Sequence, residues 1–342
     1  CDTIKFYSKE DRLLSIGDSH VWDGDYDLTA DSITVFTNVD SGIASGNVTL
    51  VQKGQVINAN RIEYKRDESQ DGVSYKAIGD VIIKDSTRVA TCGLAKYDRD
   101  NERTILELEP EIKENNRLLA GTKITLAYEQ ENLKKLYIPK NAYAITPIRG
   151  YQASLIDSNQ VGDSLRFNDK MEGTSLLGFF EDGKLDSLRI EGMAKTLYHI
   201  FEDSIYQGKN NASGDTIAIS FYDNDLSTID IIGGSEGKYI PDSLSNGNEY
   251  PITYKASRIK YHLQDDESDF DGNVNIKHDG TSLDAGFVHV NWKTDMLNAL
   301  PRMSGDTLSE LIPPLIKEAG RDPMTGDAMT YNLKTKKGRV TK

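Results

Sequence analysis

The residues suited to chemistry are the acidic run Asp265-Asp-Glu-Ser-Asp-Phe-Asp-Gly272, five histidines and two cysteines. Glu267, Asp269, Asp271 and Gly272 follow the spacing of oxygen ligands and turn glycine in a helix-flanked calcium loop. The position such a loop reserves for its bidentate glutamate is His278, and the flanks alternate as strands do, so the run reads as a solvated hairpin loop. His20, His199, His262, His278 and His289 are scattered, with no pair at ligand spacing, and no Cys/His pattern of a zinc site occurs. A carbohydrate-active β-helix enzyme would need carboxylates gathered on one face, whereas the acidic residues here fall mostly in turns. No catalytic residue, cofactor or metal is expected, and the chain reads as a non-enzyme.

The elements that would position any site repeat along the chain. Gly17 stands 13 positions before Ala30, as Gly46 does before Ala59, Gly79 before Cys92 and Gly272 before Ala285. Apolar or small residues follow each at the third and fifth positions: Ile33 and Val35, Ile62 and Tyr64, Ala95 and Tyr97, Val288 and Val290. The tail recurs alone at Ala256, Ile259 and Tyr261. Within Gly46-Asn-Val-Thr-Leu-Val-Gln-Lys-Gly54, Val48 and Leu50 alternate with polar neighbours, the period of a half-buried strand, and Lys53-Gly54 offers a turn. The next strand runs through Ile57, Ala59, Ile62 and Tyr64. Because 59 and 62 differ by an odd number, strict alternation breaks between them, and a bulge or bend is needed to keep both inward. Asp279-Gly280 supplies the same kind of turn between Val274-Asn-Ile276 and Leu283-Asp-Ala285. Alternation also marks Leu185 to Ile190, Thr216 to Phe221 and Ser227 to Ile232.

Helical spacing occurs once, from Asp306 to Ala319, where Leu308, Leu311, Ile312, Leu315 and Ile316 share a face and Gly320 supplies a stop. Pro313-Pro314 limits this to one short or kinked helix near 308–316. The expected organisation is a first repeat block at 1–128, an irregular joint at 129–166 around Pro139 and Pro147, a second block at 167–300, a helical connector at 301–327 and a further strand opening in 328–342.

Composition narrows the partners. A hydrophobic content of 37% is low for a globule, so apolar residues must be confined to one face of each element, which favours thin, extended architectures. A net charge of −14 spread along all 342 residues disfavours nucleic acid. No apolar run approaches the roughly 20 residues of a membrane-spanning helix. Cys1 and Cys92 do not suggest a disulfide framework, and a first-position cysteine resembles the mature end of a bacterial lipoprotein, making Cys1 a candidate lipid anchor.

The repeats resemble the OstA-like family, that of the periplasmic bridge protein LptA and the N-terminal domain of the outer-membrane translocon LptD. The family's Gly-x-Val strand, turn and apolar-x-Ala-x-x-apolar-x-Tyr strand read here as Gly46-Asn-Val48 with Ile57 to Tyr64, Gly79-Asp-Val81 with Cys92 to Tyr97, and Gly272-Asn-Val274 with Ala285 to Val290. The unit around Glu111 to Leu126 departs from the pattern by lacking its glycine. The resemblance implies an all-β fold, an elongated β-jellyroll of stacked antiparallel strands, with an apolar interior that takes the acyl chains of lipopolysaccharide in the periplasm. It implies lipopolysaccharide, the outer-membrane translocon and other OstA-like jellyrolls, joined by edge-strand addition, as partners. The candidate groove residues are Val48, Leu50, Ala59, Ile62, Tyr64, Val81, Ile83, Val274, Ile276, Ala285, Val288 and Val290. The repeats alone also suit a structural or adhesive protein of the cell envelope. The expected free edges lie near Thr34 and between Met329 and Leu333, the latter beside the basic cluster Lys334, Lys336, Lys337 and Arg339.

Overall fold

The computed structural model describes all residues except 25, 53, 67–72, 131, 152–155, 158–159, 162–163, 224, 243–249, 304–310 and 342, and for 23, 156, 157, 160, 161, 302 and 303 it describes the backbone alone. Among the described residues every regular element is a β-strand. Period-two patterning explains this: in Val73–Lys84 the residues Val73, Tyr75 and Ala77 are buried, then Val81 and Ile83, while Asp80 and Lys84 face out.

The chain divides into two units, one of Cys1–Ala144 with Ser175–Gly183, the other of Ile145–Thr174 with Lys184–Lys342. In the first, Thr3–Tyr7, Arg12–Asp23, Tyr26–Phe36, Ser41–Gln52, Gln55–Arg66, Val73–Lys84 and Arg88–Asp98 pair antiparallel in chain order. The ladder continues through Arg103–Glu107, Lys123–Glu129, Asn132–Ile138 and Ser175–Glu181. In the second, Leu165–Gly173, Lys184–Glu202, Ile205–Tyr222, Asp225–Pro241, Ile252–His262, Glu267–His278 and Thr281–Asn291 pair likewise. Hairpin connections of this kind keep consecutive strands adjacent. The stretch 129–166 contains the strands Asn132–Ile138 and Ala142–Gly150, with Pro139 in the turn between them, where a missing N–H costs no ladder bond, and the short pair Ile156–Asp157 and Gln160–Val161.

Each long strand is bent near its middle. The register shifts between Ser45 and Val48, between Asn58 and Arg61, and between Asp271 and Val274, among others. At the bend of Ser41–Gln52, Gly46 and Asn47 both adopt left-handed backbone, at φ 77° and 46°. This inserts one extra residue and lets Ala59 and Ile62 both point inward across their odd spacing. Asp31, on the preceding strand, lies over Gly46, where a Cβ would meet its Oδ2 at 2.2 Å. Asn47 Nδ2 donates to both oxygens of the same carboxylate, at 3.2 and 3.1 Å. The arrangement recurs with Asp2 over Gly17, Asn60 over Gly79, Thr174 over Gly192, Asp215 over Gly233 and Ser257 over Gly272.

Two expectations are corrected. The short helix near 308–316 is absent from its described part: Leu311–Ile312 and Leu315–Glu318 are strands, the latter pairing Ile316 with Leu283, while Leu308 lies outside the described residues. Pro313-Pro314 holds the chain extended there, and pairing with Thr281–Asn291 then outweighs helical spacing. The edges are also elsewhere. Thr34 sits inside the ladder, opposite Leu14 and Ile43, and the first strand is Thr3–Tyr7. Ala328–Asn332 pairs with both Met296–Leu300 and Lys337–Thr341, so the last strand is Lys337–Thr341.

Candidate functional site

The bends divide each ladder into two half-sheets whose apolar sides face one another. In the first unit, Val48, Leu50, Ala59, Val81 and Ile83 belong to one half, Ile62 and Tyr64 to the other. In the second unit, Val274, Ile276 and Ala285 face Val288 and Val290 in the same way. All twelve are buried. In the first unit's second half the small residues Ala44, Ala77 and Ala95 share one cross-strand row with Ile33, Ile62 and Leu106, so side-chain volume varies along the interior.

Sequence reasoning named Tyr64 and Tyr261 but missed the residues that meet them or otherwise cross this interior, Tyr26, Gln52, Asn210, Tyr254 and Phe270. In the first unit the rings of Tyr26 and Tyr64, from opposite halves, approach to 6.2 Å. The buried Gln52 side chain spans to the backbone of Val73, donating to its carbonyl at 3.5 Å and accepting from its N–H at 3.3 Å. In the second unit Phe270 stands edge-on to Tyr254 at 5.3 Å, and the Tyr254 and Tyr261 hydroxyls meet at 2.6 Å with Asn210 bonded to both. Burial raises the Tyr64 and Tyr75 phenols above their ordinary range and pushes Tyr261 up to about 12, so these rings stay neutral. The Tyr75 hydroxyl is buried and finds no hydrogen-bond partner among the described residues. Tyr254 and Tyr64 each lie against a glycine of the preceding strand, Gly237 and Gly42, where no side chain would fit beneath the ring.

The acidic run is not a metal loop. Asp265 and Asp266 lie in a turn, but Glu267 to Gly272 continue into the strand Glu267–His278. Its carboxylates point out while Ser268 and Phe270 are fully buried, an alternation the density of charge conceals. The fold does bring two histidines together: the Asp269 carboxylate is bridged by His262 at 3.1 Å and His289 at 2.8 Å. Cross-strand pairing, not sequence spacing, makes that contact. Among the described residues no group of three His, Cys, Asp or Glu is arranged to hold a metal ion. Gly233-Gly-Ser-Glu-Gly237 has the spelling of a nucleophile elbow, yet Ser235 is buried at a strand bend and donates to the Ile231 carbonyl at 2.8 Å. Cys92 is buried, which pushes its thiol up to about 11, and Cys1 is exposed. Of the C-terminal basic cluster, Lys336 is ion-paired with Asp279.

Residues 27–132 match the family model of the LptA/(LptD N-terminal domain) LPS transport protein, bearing out the OstA-like resemblance over that segment. The crystal structure of LptH, the LptA homologous periplasmic component of the conserved lipopolysaccharide transport device from Pseudomonas aeruginosa, aligns at 12% identity over 46% of this chain and 93% of that one, with a TM-score of 0.31. No protein of curated function matches the chain.

Proposed function

From a chain whose residues 27–132 match a lipopolysaccharide transport family, we propose a non-enzymatic carrier that takes lipopolysaccharide acyl chains between its half-sheets and passes them across the periplasm toward the outer-membrane translocon. One observation carries the reading: in both units the candidate residues are apolar and buried on the facing sides of the half-sheets, where polar side chains such as Gln52 and Asn210 enter at single positions. Apolar chains entering such an interior exchange water for hydrocarbon at about 0.8 kcal/mol per methylene. A photo-crosslinking residue at Leu50, Ile62 or Val288 should give adducts with lipopolysaccharide, and one at the outward-directed Thr49 or Glu63 should not. Equal labelling of both sets would sink the carrier reading, and labelling of neither would favour the structural envelope protein.

Transport between carriers needs joined interiors, and the terminal strands Thr3–Tyr7 and Lys337–Thr341 offer backbone for strand addition by another OstA-like domain. Ile4 and Phe6 on the first of these are more than half exposed, so an added strand would also cover apolar surface. Proline placed in turn along 3–7 should abolish co-purification with such a partner at positions whose N–H points away from Arg12–Asp23. A scan that leaves association intact at every position along both terminal strands removes the edge-pairing model.

A further inference from the structure

In the first unit the half-sheets also meet along the margin opposite their bends, and the contacts there are of two kinds. Toward the first strands Tyr26 stands against Tyr64, and Gln52 makes both of its bonds to Val73. Toward the last strands the contacts are charged. Arg88, Glu114 and Arg117 form one cross-strand row, on the same face as the buried Ala90, Ile112 and Leu119. The Arg88 guanidinium lies 5.6 Å from the centre of the Phe180 ring, which belongs to the opposite half. The Tyr128 hydroxyl of that half bonds Gln55 across the margin as well as Thr104 beside it. Glu114 is 4% exposed, yet its Oε2 and the Arg88 Nη1 find no hydrogen-bond partner among the described residues. Burial raises the Glu114 carboxyl above its ordinary range although two guanidinium groups stand beside it, so the loss of water outweighs their attraction.

The bend on the strand that carries Glu114 is built differently from the others. Arg103–Glu107 and Glu111–Glu114 both pair with Arg88–Asp98, and between them Leu108 and Glu109 adopt left-handed backbone, at φ 63° and 56°. At Gly46 and its counterparts glycine opens such a pair and a polar side chain covers it. Here the glycine is in the covering strand: a Cβ at Gly93 would meet that of Leu108 at 2.8 Å. The exchange keeps the bend but leaves two L residues in backbone they disfavour.

We propose that this stretch of the margin is a gate in the side of the first unit, with Leu108-Glu109 as its hinge and the Arg88, Glu114 and Arg117 row as its latch. Parting the halves there returns water to Glu114 and Arg88 and frees Leu108 and Glu109 from left-handed backbone, whereas parting them at Gln52 breaks two satisfied bonds. The charged stretch therefore opens first, and acyl chains enter the interior through it. That route rests on the carrier reading; the opening does not.

Hydrogen exchange of the full chain without lipid, followed by mass spectrometry, tests the opening. Amides of Glu111–Glu114 and Arg117–Ala120 should exchange at least about tenfold faster than those from Val48 to Leu50 and from Tyr75 to Ala77. Leu108→Gly should slow the faster exchange several-fold, and Arg88→Met combined with Glu114→Leu and Arg117→Met should slow it by about tenfold or more. Should the triple variant not fold, Leu108→Gly carries the test alone. Exchange in these segments no faster than in the reference ones, or unchanged by the substitutions, overturns the gate. Photo-labelling at Leu50 by lipopolysaccharide then tests the route. It should fall in step with exchange, and undiminished labelling in a variant with slowed exchange overturns entry through the gate. A parent that is never labelled removes the carrier reading and the route together, while the opening stands or falls on the exchange.

Discussion

Gly46→Val is expected to lower the free energy of unfolding by about 3–4 kcal/mol, roughly twice the loss from Gly54→Val. Both glycines are left-handed, at φ 77° and 72°, so both substitutions place a branched side chain in backbone that L residues disfavour. The difference lies above them. Nothing stands within 4 Å of a Cβ at Gly54, whereas at Gly46 the Asp31 carboxylate must move, abandoning both hydrogen bonds from Asn47. Urea unfolding followed by circular dichroism reads the two losses. Equal values would show that the bend is set by backbone preference alone and that the covering carboxylate contributes nothing.

Phe270→Ala should cost about 3–5 kcal/mol, the range for truncating a fully enclosed aromatic side chain. Phe270 is 1% exposed and meets Tyr254 edge-on from the opposite half-sheet, so its removal opens a void between the halves that neither bent ladder can close. Its neighbour Asp271 points outward from the same strand, and Asp271→Ala should stay within about 0.5 kcal/mol of the parent. A Phe270→Ala loss no larger than that of Asp271→Ala would mean that the ring is not packed across the interior.

The contrast between Phe270 and the bends marks what the sequence could disclose. The bend at Gly46 is legible because glycine's conformational freedom and the two-residue pleat are local rules: the odd spacing of Ala59 and Ile62 announces a break in alternation. Phe270 was hidden because its neighbours are acidic, although in a strand those neighbours belong to the other face. The Gln52 bridge to Val73, the Asn210 contact with Tyr254 and Tyr261, and the meeting of His262 and His289 on Asp269 depend on which half-strands face or pair. No spacing encodes that. The helix expected near 308–316 failed for a related reason, since the pairing partner that holds Leu315–Glu318 extended lies about thirty residues earlier. Thr3–Tyr7 escaped notice because it carries no glycine or turn of the repeat, which moved the expected edge inward to Thr34.

The covered glycines also constrain how such a protein can change length. Each left-handed Gly pair sits on every second strand and takes its cover from the strand before it: Asp31 for Gly46, Asn60 for Gly79, Ser257 for Gly272. Deleting or duplicating a single strand would set two glycine strands, or two covering strands, side by side and would leave a bend without its partner. Growth in whole hairpins preserves the alternation. The interior of such a ladder therefore comes in increments of two strand spacings, about 9.6 Å, and insertions that respect this step are the ones a lineage could accumulate without losing the bends.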